Sequence, residues 1–140
     1  MIDAVIPPPI PLSLQIADNH LFDARTGQHS LIGIISNIQA SRFPALVARL
    51  VVFFEITSAR GNVPIDVRIV DVDEKRQPIV SLSGAIDSPD PLGVHQMAVG
   101  FNNLAFPEAG DYRVQLLSGG LILLERRLVL VSLQQREPGA

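Results

Sequence analysis

"LVVFFEI", residues 50–56, carries six apolar side chains in seven positions, with Phe53 and Phe54 adjacent. Successive side chains of a strand point to opposite faces, so a half-buried strand should alternate apolar and polar. In the longer run "RLVVFFEIT" (49–57) one set, Leu50, Val52, Phe54 and Ile56, is wholly apolar and should face a core. The other set, Arg49, Val51, Phe53, Glu55 and Thr57, is mixed. Phe54 is therefore expected to be structural. Val51 and Phe53 need a cover, because a bare apolar strand of low charge invites cross-strand aggregation.

The surroundings of this strand point to an all-β fold. Runs rich in Val, Ile and Leu recur at intervals of about 10 to 15 residues, separated by Pro, Gly, Asn and Asp, the pattern of a sandwich or barrel. The expected strands are 12–18, 30–38, 47–57, 64–72, 78–86, 94–101, 111–117 and 121–131. They suggest a single-domain antiparallel β-sandwich of about eight strands, immunoglobulin-like or jelly-roll-like. "DYRVQLL" (111–117) alternates most cleanly, with Tyr112, Val114 and Leu116 on one face. Gly119 and Gly120 supply the positive φ values of a tight hairpin into the last strand. That last segment also fits a helical stripe through Leu121, Leu124, Leu128 and Val131, but the short turn and the β-branched residues near its end favour a strand. Residues 1–11 read as a proline-rich arm, 12–132 as the domain and 133–140 as a tail.

Composition narrows the function classes. Among 140 residues, 47% are hydrophobic and 18% charged, with a mean hydropathy of +0.31, apolar against typical soluble domains. A net charge of −3 with 11 basic residues gives no footprint for phosphate backbones, so nucleic acid is not expected as a partner. Without cysteine there is no disulfide, thiolate nucleophile or Cys-based zinc site. The N-terminus lacks a basic signal region and is broken by Pro7, Pro8, Pro9 and Pro11. No run reaches the roughly 18 apolar residues of a membrane span. A soluble, cytoplasmic protein without membrane contact is the expectation.

"LIGIISNI", "FPALVARLVVFFEI", "DVRIVDVDEKRQPI" and "FPEAGDYRVQLLSGG" together resemble a family of small bacterial proteins classed only as a domain of unknown function, over roughly residues 14–131. The resemblance implies a β-sandwich and no activity, cofactor or catalytic residue. The chain departs from it at Asp73-Glu74-Lys75-Arg76, where an Asp-x-Asp-Gly type of turn is usual, and in the triple proline. "PEAGDYRV" is also similar to a segment of many immunoglobulin-like sandwiches in which a Tyr bonds back to the preceding connection, a structural role that falls to Tyr112.

Candidate chemistry is sparse. His20 and His29 flank "NHLFDARTGQH" without the spacing of metal ligands, and His95 is distant; all three read as exposed loop histidines. The turn Asp71, Asp73, Glu74 lacks the Gly and the distal Glu of a calcium loop, and Lys75 and Arg76 would repel a cation. No G-x-S-x-G elbow and no nucleotide loop occurs. Sugar platforms use Trp and Tyr, of which there are none and one. No catalytic, metal or cofactor site is expected. The surplus of apolar strand surface suits a non-catalytic structural or protein-interaction domain that self-associates, with Val51, Phe53, Ile6 and Ile10 as interface candidates. The alternatives are an adaptor for a different protein and a small-ligand or carbohydrate-binding module.

Overall fold

The computed structural model describes residues 7–73 and 75–133. It is all-β, with two sheets. The nine strands among the described residues are β1 (Ile10–Asp23), β2 (Gln28–Ile34), β3 (Asn37–Ala40), β4 (Ala45–Thr57), β5 (Gly61–Asp71), β6 (Val80–Ser88), β7 (Val94–Phe106), β8 (Gly110–Ser118) and β9 (Leu121–Ser132). One sheet has the order β2-β1-β4-β7 and the other β3-β9-β8-β5-β6.

Two expectations are corrected. The stretch 30–38 is not one strand but two, and the sheets are not wholly antiparallel, because β3 runs parallel to β9 with Asn37 opposite Val129. Both corrections have one cause. The N–H of Ile35 still donates to the Ile16 carbonyl of the first sheet, whereas the carbonyl of Ser36 already accepts from Val129 of the second. The chain thus changes sheets within two residues and meets β9 from a direction that only a parallel ladder accommodates.

Inward side chains of both sheets form one cluster. Leu50, Val52, Phe54 and Ile56 of β4 meet Val67 and Ile69 of β5, Val114 and Leu116 of β8, and Leu128 and Leu130 of β9. Segment 121–131 lies within strand β9. The two-residue turn at Gly119 (φ 58°) and Gly120 (φ 83°) sends the chain straight back along β8, and Leu128 and Leu130 then bury at period two. Tyr112 is buried edge-on to Phe106, with ring centroids 5.0 Å apart. Its hydroxyl donates to the Glu108 carbonyl at 2.7 Å and accepts from the Glu108 N–H at 3.4 Å, tying the entrance of β8 to the connection before it.

Candidate functional site

Val51 and Phe53 lie outside the inter-sheet cluster, yet they are only 1% and 7% exposed. Their cover comes from the same chain. Phe53 pairs with Gln15 across the β1–β4 ladder, which ends at Ala17 opposite Val51. Five further residues of straight strand would carry His20 roughly 16 Å beyond Gln15. Instead the His20 ring stacks on Phe53 with centroids 6.0 Å apart, and the His29 ring lies 5.3 Å from it. The distal part of the β1–β2 hairpin therefore bends back across the outer face of the first sheet. Gly33 marks the bend: its φ is +71°, and a Cβ there would stand 2.7 Å from an Asp18 carboxylate oxygen.

Beneath this flap the polar groups are paired. His20 Nε2 and His29 Nδ1 are 2.8 Å apart, a bond in which one nitrogen must donate and the other accept. Phe22 packs against His29 with centroids 4.9 Å apart and is itself 56% exposed. Burial, then the neighbouring His29 and Arg49, hold His20 below its ordinary value of 6.5. Ser13 Oγ donates to one oxygen of Glu55 at 2.6 Å and Gln96 Nε2 to the other at 2.9 Å. Those two bonds lower the Glu55 carboxyl, Ser13 foremost, while burial opposes them and His29 adds to them.

A second feature lies on the opposite flank. β6 and β7 are the edge strands there, one from each sheet. Between them opens a cavity of about 170 Å³ whose apolar walls include Phe54, Ile65, Val67, Leu82, Met97 and Val99. From Ser81 to Ala85 every residue of β6 is exposed, Leu82 to 47%, and Met97 of β7 is 40% exposed.

The remaining expected positions separate from both features. Ile10 is 52% exposed and pairs with Thr57; Ile6 lies outside the described residues, as do most of the arm and of the tail. Pro7, Pro8 and Pro9 lie near Asn62, Pro64 and Leu121. The histidines are not loop residues: His20 and His29 sit in β1 and β2, and His95, in β7, bonds Ser88 Oγ at 2.9 Å. In the acidic turn, Asp71 accepts from the Lys75 N–H, and Arg76 reaches both Asp71 and Glu108. Among the described residues no three His, Asp or Glu side chains gather as a metal site. No helix among them is long and apolar enough to cross a membrane.

The chain belongs to a family of unknown function, DUF6941, whose model matches residues 13–131. No curated protein matches. Among solved structures the chain is similar to the Pseudomonas fluorescens alkylpurine DNA glycosylase AlkC bound to DNA containing an abasic site analog, at 13% identity and a TM-score of 0.48. That match covers 69% of this chain and 28% of the glycosylase chain. On partners, the expectation that excluded nucleic acid rested on net charge alone and is withdrawn. At this level of similarity the match assigns no DNA-contacting residue here.

Proposed function

We propose that this chain is a non-catalytic protein-interaction domain that self-associates by pairing the β6 edge of one copy with the β6 edge of another. The reading treats the two sheets as halves of one β-sandwich. It also moves the association surface away from Val51 and Phe53, which are buried within the single chain.

The observation that carries it is the state of this edge. Soluble proteins guard sheet edges with Lys, Pro, bulges, short strands or a covering segment. β3, the other edge of the same sheet, is four residues long. Among the described residues β6 has none of these guards: Val80 to Ile86 is uncharged and free of proline, and its ladder to β5 runs without a register shift. β7 is less suited as a template, since Asn103 interrupts it at φ 57°. An antiparallel two-fold pairing centred on Gly84 sets Leu82 opposite the partner's Ile86 and brings no like charges together over that span. The partner's inward side chains would then lie at the mouth of the apolar cavity.

Light scattering on the purified chain should give twice its mass of 15.2 kDa. Ser81→Lys combined with Ser83→Lys should give the monomer with an unchanged circular dichroism spectrum. A wild-type monomer at high concentration would refute the reading. If that monomer retained a foreign protein through the same edge, the adaptor alternative would take its place.

A further inference from the structure

We propose that the His20–His29 pair is an acid-sensitive latch between β1 and β2 that keeps both rings packed over Phe53. The contact at 2.8 Å joins two ring nitrogens, so at least one of them must lack a proton to accept. With both rings neutral, or with one protonated, the bond persists. With both protonated, two donors face each other across a distance that only a hydrogen bond makes favourable, and the bond is lost.

The charged groups that face the pair from β4 are Glu55, which acts with His29, and Arg49, which acts on His20. A charge on His20 is opposed by burial first, then by His29 and by Arg49. The positions of β7 on that face, Gln96, Ala98 and Gly100, pair with Glu55, Phe53 and Val51 and carry no charge. On the histidine's own strand, Asp18 is set against Gly33 and Asp23 beside Arg25.

The bend at Gly33 lets the flap move without disturbing the inter-sheet core, since neither histidine belongs to that cluster. Acid then uncovers Phe53, an apolar side chain hidden at neutral pH. This inference is independent of the β6 reading.

Amide hydrogen exchange tests it on the intact chain, as protection factors that remove the chemical pH dependence. Between about pH 7.5 and about pH 5, the window in which histidine changes charge, protection of residues 28–34 should fall about tenfold or more, while that of β8 stays constant. His29→Phe or His20→Phe, which keeps a ring over Phe53 but removes the titration, should abolish the change. Constant protection of β2 in the wild type, or the same fall in a folded variant, would overturn the proposal. Should neither variant fold, imidazole nitrogen shifts in the wild type decide: the midpoint of opening must coincide with the second protonation of the pair, and a mismatch is fatal to the latch.

Discussion

Truncating Phe53 to Ala tests the conclusion that the second face of β4 is closed by the chain itself. The side chain is 7% exposed and lies against the rings of His20 and His29 at 6.0 and 5.3 Å. Removing a buried Phe from a rigid core costs about 3 to 5 kcal/mol, depending on how far the site collapses. Phe54, 1% exposed between the two sheets, belongs at the upper end of that range. Phe53 is roofed by a two-stranded flap that can settle into the space, so about 3 kcal/mol is expected, with roughly 1 kcal/mol of it from the lost ring contacts. For a chain of this size each kcal/mol lowers the melting temperature by about 3 °C, giving a fall of about 10 °C. Urea unfolding of Phe53→Ala, Phe54→Ala and the wild type at pH 7.5 supplies the free energies, provided the slopes agree. A loss below about 1 kcal/mol for Phe53→Ala, or a loss that appears only together with a change of oligomer mass, would mean that the hairpin is not what covers this face.

Three further outcomes follow from single contacts. Tyr112→Phe removes the hydroxyl that bonds Glu108 and keeps the ring against Phe106, so urea unfolding should show a loss of about 1 kcal/mol with an unchanged far-ultraviolet circular dichroism spectrum. Gly119→Ala meets no atom within 4 Å, so its cost is the positive φ alone, about 1 to 2 kcal/mol; Gly119→Asn should recover part of it. Glu55 is held below its ordinary value of 4.5, so the unfolded chain takes up the proton first; this contribution is present above about 4.5 and is lost as pH falls through the lower folded value. Glu55→Gln should flatten that acid limb in a melting series, and an unchanged limb would assign it to other carboxyls.

What could be read in the sequence was whatever alternates. β4 and β8 each present one unbroken apolar face to a core, and that pattern survives in the residue order as period two. The two-glycine turn was legible because few other residues tolerate its dihedrals. The flap was legible only in part: residues 30–34 of β2 fall within the expected strand 30–38, but the stretch from Asn19 to His29 was read as a loop. From Asp18 to Asp23 every side chain is intermediate or exposed, so the end of β1 lacks the apolar and polar contrast that marks a strand, and its histidine and aspartates resemble a loop. The change of sheet at Ile35 and Ser36 was hidden for the opposite reason: "LIGIISNI" stays apolar on both sides of the step, because the chain leaves one partly buried ladder for another. Parallel pairing of β3 with β9 depends on that step and cannot be inferred from either strand alone.

The same step explains why the two flanks of the molecule differ. On one flank residues 35 and 36 bond to β1 and β9 in turn, and β1 lies against β9, so the sheets are stitched together where the chain crosses. On the other flank β6 and β7 are joined at one end, through the turn at Asp90–Gly93 and the bond between Ser88 and His95. Away from that end the core opens into the cavity beside Phe54. Sheet twist makes such a gap the expected result when two sheets are tied on one side only. The apolar surplus that the composition announces is thus distributed unequally. The part at Phe53 is covered by the rings of His20 and His29, and the part between β6 and β7 stays open, where the proposed self-pairing would add a strand. A substitution that tied the open flank shut should therefore raise stability and weaken association together. Gly84→Val is such a change: it adds a β-branched side chain to β6 where a Cβ meets nothing within 4 Å, on the face that lines the cavity. A melting temperature higher by a few degrees with a shift toward monomer is the expected pair of results. Greater stability with an undiminished dimer would separate the cavity from the association surface and confine self-pairing to the backbone of the edge.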